Sequence, residues 1–115
     1  MMNNVMLVGR LTGDLEVMDC GNDVKRTMIT LAVPRTYKNQ DGIYETDFLR
    51  CILWNGIAQK AHDYCKKGDM VCIRGRIQVR NYENSQNEKK FITEIIAESI
   101  AFVSSVKAKK EKNVG

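Results

Sequence analysis

Long apolar runs, paired cysteines, clustered acids and an excess of positive charge over the folded part are all missing from this sequence. No apolar stretch approaches the ~20 residues that a helix needs to cross a bilayer. The first residues, MMNNVMLVGRL, carry no basic region ahead of their apolar positions and no small-residue cleavage pattern. A secretory signal is therefore not expected, and the cytoplasm is the expected location. The cysteines Cys20, Cys51, Cys65 and Cys72 form no CxxC pair and have no histidine at metal spacing. Neither a metal nor another cofactor is expected, and reduced thiols are. Cys51 and Cys72 fall in apolar strand patterns and read as small core residues. The one histidine, His62, falls on the polar side of a helical pattern with no Ser, Cys and acid constellation around it, so an exposed helix histidine is expected in preference to a catalytic one. Asp14, Asp19, Asp41 and Asp69 are scattered, which argues against a small metal-dependent nuclease.

The net charge is +4, but Lys107, Lys109, Lys110 and Lys112 against Glu111 place +3 of it in the last nine residues. The remainder is close to neutral, so any affinity for phosphate must come from the arrangement of charges and not their sum. Residues 1–105 are long enough for one domain with a modest core. Residues 106–115 are expected to form a short basic tail, either a solubilising end or a source of nonspecific attraction to a nucleic-acid backbone.

The informative stretch is Glu45 to Trp54, ETDFLRCILW. As a strand it places Leu49, Cys51 and Leu53 on one face and Phe48, Arg50, Ile52 and Trp54 on the other. The first set is a core face. The second joins aromatics to an arginine, which a buried surface has little use for and a base-stacking, phosphate-neutralising surface needs. Ile52, between them, is expected to pack against protein.

The neighbouring segments fit around it. Asn4 to Leu11 reads as a strand with a bend at Gly9, and Val24 to Val33 as a second strand, stopped by Pro34. Leu15 to Asp19 extends the pairing towards a turn at Cys20 to Asp23. Arg35 to Ile43 reads as a polar hairpin loop that holds Tyr37 between Arg35 and Lys38. Gly56 to Lys67 has helical spacing, with Ile57, Ala58, Ala61 and Cys65 on one face and Gly68 as its stop. Asp69 to Arg80 alternates Val71, Ile73, Gly75, Ile77 and Val79 with Cys72, Arg74, Arg76, Gln78 and Arg80. A row of arginines repels itself unless it is paired with acids or faces anions. A polar hairpin with Tyr82 near its start follows. Phe91 to Val103 closes the chain, with Ile92, Ile96 and Ile100 on one face and Glu94 and Glu98 interleaved. Three strands, a helix and two strands are the plan of an all-β, five-stranded Greek-key OB-fold barrel with one helix between the third and fourth strands. A generic α+β sheet with a covering helix uses the same elements.

The segments NNVMLVGRLTGDLEV, TLAVPRTYKNQDGIYETDFLRCILWN, AQKAHDYCKKGDMVCIRGRI and VRNYENSQNEKKFITEII resemble the bacterial single-stranded-DNA-binding protein family in order and spacing. That resemblance implies homotetramers of OB-fold subunits that wrap single-stranded DNA with little sequence preference, in replication, recombination and repair. It implies base stacking at the positions of Tyr37, Phe48, Trp54 and Tyr82. The family commonly has tryptophan where Tyr37, Phe48 and Tyr82 stand and phenylalanine where Trp54 stands, so every position stays aromatic. Its basic contacts correspond to Arg50 and Arg80, and the strand faces add Arg10, Arg35, Lys38, Arg74 and Arg76. Longer members end in a flexible linker and an acidic tip that recruits replication and repair proteins. This sequence ends in KAKKEKNVG, so partners that dock through such a tip are not expected; a natural short form, a phage or plasmid origin and truncation are all consistent with that ending. Other readings of the residues are an accessory OB-fold protein with a narrower, partner-dependent role and a purely structural oligomerisation domain.

Overall fold

The computed structural model describes residues 1–105; the basic segment 106–115, expected above to be a tail, lies outside the described residues. Six strands and one helix follow in the order β1 (Val5–Leu11), β2 (Met18–Asp19), β3 (Lys25–Lys38), β4 (Tyr44–Trp54), α1 (Asn55–Tyr64), β5 (Met70–Glu83) and β6 (Lys89–Ser104). They make one sheet in the order β1-β5-β6-β4-β3-β2, and an added β1–β3 pairing closes it on itself. The two-residue β2 sits outside the closure, leaving a five-stranded barrel with α1 between its third and fourth strands. All neighbours are antiparallel except β4 and β6, which meet in parallel through Cys51–Ile95 and Ile52–Ile96. The helix makes that parallel join possible, because it carries the chain from the end of β4 across to β5.

The barrel interior is filled from alternate positions of each strand. Leu31, Leu53, Val71 and Ile73 have no exposed surface, and Leu11, Ile29, Cys51, Ile95 and Ile100 complete the layer. Burying each large aliphatic side chain contributes about 1.5–3 kcal/mol. Ala58 and Ala61 are fully buried on α1, whose small side chains let the helix lie close over β3, β4 and β6. Lys60 ties it down by donating from Nζ to the Ile100 carbonyl at 3.2 Å.

Two glycines mark where backbones cross too closely for a side chain. A Cβ on Gly9 would lie 2.5 Å from the Ala32 carbonyl oxygen, where β1 swings across to β3. A Cβ on Gly75 would collide with the Ile96 carbonyl. There β6 carries an extra residue: Arg74 pairs with Ser99 and Gly75 with Ala97, so Glu98 has no partner across the ladder.

Several boundaries differ from the sequence expectation. The helix runs from Asn55 and ends at Tyr64, because Cys65 is extended with φ −123° and ψ 148°. Gly68, at φ +90°, serves the turn into β5 instead of stopping the helix. There Asp69 accepts the Lys66 amide at 2.8 Å. β3 does not stop at Pro34 but continues to Lys38 through a register irregularity. Proline is tolerated because β3 at that end has only β4 beside it, so no ladder bond to a second neighbour is lost. The hairpin loop shrinks to the turn 39–43, where the Asn39 carboxamide oxygen accepts from the amides of Asp41 and Ile43. The turn 84–88 repeats this device, with Asn84 accepting from Gln86 and Glu88. Tyr37 and Tyr82 therefore stand on strands and not in loops. β3–β4 and β5–β6 each reach beyond the barrel as a two-stranded arm.

Candidate nucleic-acid interface

The outer surface of β4 is laid down by strand alternation. Phe48 is 66% exposed, Trp54 is 39% exposed and Arg50 is exposed, while the Leu49–Cys51–Leu53 face turns inward. Ile52 lies on the outward side yet keeps only 2% of its surface, so it does pack against protein. Its cover comes from its neighbours: Met28 on β3 and Ile96 on β6 stand beside it in register. Phe48 to Trp54 spans roughly 20 Å of strand. Registers carry this surface across the sheet, from Phe48 to Ala32 and on to Arg10, from Arg50 to Thr30, and from Trp54 to Arg26.

Beside Trp54 the surface deepens into a pocket of about 320 Å³. Ile52 and Ile96 line it with Trp54, and Arg26, Arg76, Gln78, Arg80 and Glu94 add polar and charged groups. Arg26 stands over the indole with its guanidinium carbon 5.8 Å from the ring centre, a cation–π contact that braces both side chains. Arg80 donates from Nε to Glu94 Oε1 at 3.2 Å. Arg76 donates to the Gln78 side-chain oxygen at 2.9 Å. The Glu94 side chain is only 3% exposed, and its second oxygen, Oε2, is buried without a hydrogen-bond partner. Such an orphan acceptor costs on the order of 1–3 kcal/mol.

The expected site residues divide into groups. Trp54, Arg76 and Arg80 share the pocket, and Phe48 and Arg50 continue its surface along β4. Tyr37, 64% exposed, and Lys38 stand near the end of the β3–β4 arm, where the Lys38 ammonium lies 5.6 Å from the Tyr44 ring centre. Tyr82, on the β5–β6 arm, lines a shallow hollow with Phe91 and Lys89. Arg74 is exposed on β5 between Met6 and Ser99, outside the pocket.

Two further arginines, outside the pocket, are engaged within the protein. Arg10 donates to the Gly68 carbonyl at 3.0 Å. Arg35 bonds Glu45 at 2.8 Å and Asp47 at 3.0 Å across the arm. The Arg35 hydrogen bond holds the Asp47 carboxyl below the usual carboxylate range, and Asp47 in turn raises Arg35. Arg50 and Arg74 make no ion pair among the described residues and are open to solvent anions.

Arg26, Tyr44, Phe91 and Glu94 also belong to these surfaces, although the sequence pattern does not single them out. Arg26 was within reach, since Arg26, Met28, Thr30 and Ala32 alternate with the buried Thr27, Ile29 and Leu31. Glu94 was not. Its parity matches Ile92 and Ile96, and nothing local distinguishes a buried carboxylate from a solvated one.

The cysteines are all free thiols; Cys51 is sealed in the core, which pushes its thiol up to about 12, while Cys72 is only half-buried and Cys20 is exposed. His62 is exposed on α1 beside Asp63, as the helical spacing predicts.

A closed barrel of five strands with one connecting helix is the OB-fold, and its outer face has the aromatic and arginine composition of a nucleic-acid interface. The chain belongs to the single-strand binding protein family, whose sequence pattern it matches over residues 2–103. It is 48% identical over 99 residues to single-stranded DNA-binding protein 1 of Streptococcus pyogenes serotype M18, covering 86% of this chain and 76% of that protein. It is 46% identical over 103 residues to single-stranded DNA-binding protein 2 of Listeria innocua serovar 6a, covering 90% of this chain and 65% of that protein. Single-stranded DNA-binding protein 2 of the same Streptococcus is 43% identical over 105 residues, a match that spans 64% of its length.

Proposed function

We propose that this protein binds and protects single-stranded DNA without strong sequence preference, serving replication, recombination and repair as a binding protein and not as an enzyme. The observation that carries this reading is the outer face of β4, where Phe48, Arg50 and Trp54 stay exposed around a buried Ile52. Arginines and lysines draw the strand in by releasing its counterions, a contribution that weakens with salt. The aromatics then stack bases, at ~1–3 kcal/mol each, with little preference because every base has a π-face. Duplex DNA hides those faces in its own stacking and keeps only the electrostatic contribution. Tyr37, Phe48, Trp54 and Tyr82 are the stacking residues in this reading. Arg10, Arg35, Lys38, Arg50, Arg74, Arg76 and Arg80, joined by Arg26, supply charge. Phosphate reaches Arg35 only in competition with Asp47 and Glu45.

The working unit is a homotetramer acting on DNA in the cytoplasm. Two features favour self-association. The β1 edge from Val5 to Gly9 has no strand neighbour on one side among the described residues. Apolar Met6, Val8, Ile77 and Val79 are 46–67% exposed. Several surfaces on one strand multiply affinity through effective concentration. Residues 1–105 form the binding domain, and residues 106–115 add a net charge of +3.

Trp54 is the sole tryptophan and reports binding directly. Oligo-dT titration is expected to quench its emission, added salt to reverse the quench, and sedimentation to give four subunits per complex. Saturating oligo-dT with neither quench nor gel shift sinks the reading.

A further inference from the structure

We infer that the pocket beside Trp54 is a base-recognition subsite, in which Glu94 accepts a hydrogen bond from the exocyclic amino group of a nucleobase. This rests on the single-strand reading above and goes beyond it, because stacking and phosphate contacts alone are blind to base identity.

The pocket is built around an unspent acceptor. One oxygen of Glu94 takes the Arg80 bond, and the other is buried with no partner. Trp54 supplies a stacking face beside it, and a base stacked there presents its edge to the polar wall. A carboxylate accepts from the N4 amino group of cytosine and meets only the repelling O4 oxygen of thymine in the same place. Gln78 adds a donor. Its oxygen is held by Arg76, which fixes the carboxamide and leaves the amide nitrogen for an acceptor such as ring N3 or O2. Arg26, Arg76 and Arg80 outweigh the single negative charge, so the carboxylate does not turn the strand's phosphates away.

Glu94 Oε2 is covered in the free protein, and the pocket around Glu94 is lined by the long side chains of Arg26, Arg76 and Arg80. When a strand arrives, those guanidiniums turn towards phosphate and the acceptor is uncovered for the base. Sequence preference is then a local bias at one nucleotide per subunit, laid over sequence-blind binding elsewhere.

The test uses the full chain with oligomers of equal length made of dC, of dT, and of a cytidine analogue with pyrimidin-2-one as base. The analogue keeps the ring, N3 and O2 of cytosine and lacks only the amino group. Wild-type protein is expected to bind the analogue about ten-fold more weakly than dC. Glu94→Gln, which keeps an acceptor for Arg80, is expected to erase most of that difference, lowering dC affinity more than dT affinity. Equal wild-type affinity for dC and its analogue overturns the inference. So does a Glu94→Gln protein that loses dC and dT binding in equal proportion. The analogue comparison needs no variant, so it decides the matter even if Glu94→Gln does not fold. Loss of the single-strand reading has a different signature: neither dC nor dT is bound at all.

Discussion

Within the barrel and within the arms the same strands behave differently. On β5, Val71 and Ile73 are fully buried, whereas Ile77 and Val79, two and four residues past Gly75 on the same side of the strand, are 46% and 55% exposed. On β4, Leu53 and Cys51 have no exposed surface, whereas Leu49, on the same face, is only half-buried. The alternation does not change; what changes is whether a second layer lies across from it. The barrel half carries stability, and the arm half spends apolar and charged side chains on solvent, where only a ligand or another subunit rewards them.

Leu53→Ala strikes the barrel half and is the largest expected effect. It should cost about 2–5 kcal/mol of folding stability, read as a lowered denaturation midpoint, with DNA affinity of the remaining folded protein near normal. Trp54→Ala, the adjacent residue on the opposite face, should reverse the pattern. Affinity for oligo-dT should fall by about 1–3 kcal/mol, with a smaller change in melting temperature. Phe48→Ala should behave likewise. If Trp54→Ala instead unfolds the domain, the outer face of β4 is core and the division between barrel and arms collapses.

The smallest effect belongs to the brace of the β3–β4 arm. Asp47 has its pKa lowered by Arg35, so its contribution is full above the ordinary carboxylate range and is lost as pH falls through the lowered value. Acidification should lower amide protection, taken relative to the intrinsic exchange rate at each pH, around Asn39 to Glu45 before the barrel strands respond, and Asp47→Asn should show that lower protection at neutral pH. Simultaneous loss of protection in arm and barrel would show that the two halves are one cooperative unit.

This division also explains what was legible beforehand. The inward set Leu49, Cys51 and Leu53 and the exposed Phe48 and Trp54 follow from period-two alternation, which the sequence displays openly, while the buried Ile52 departs from it as the one aliphatic residue on the outward face. The element order pointed to the barrel, with an α+β sheet and covering helix as the other plan it allowed. The misreadings sit where alternation is interrupted or outlasts the barrel. The unpaired Glu98 shifts the parity of β6, so Ile95 and Ala97 face inward on one side of it and Ile100 on the other. Ile77 and Val79 continue a core-like pattern after the core has ended. Pro34 looks like a terminator until β3 is found to have an open edge there. Side-chain partnerships are less legible still. Arg35 reads as a free cation in RTYK, and only the folded hairpin brings Asp47 and Glu45 across to it.

The uneven exposure of the thiols has a practical side. Cys51 is sealed in the core with its thiol pushed up to about 12, Cys65 is raised by burial, and Cys72 is half-buried, which leaves Cys20 open. Cys20 directly follows β2, whose Met18 pairs with Arg26, and Arg26 in turn pairs with Trp54. A maleimide dye would therefore attach first at one native position, beside β2. A dye there that absorbs in the range of tryptophan emission lies two strands from the sole indole, so strand arrival can be followed by ensemble fluorescence without altering a residue.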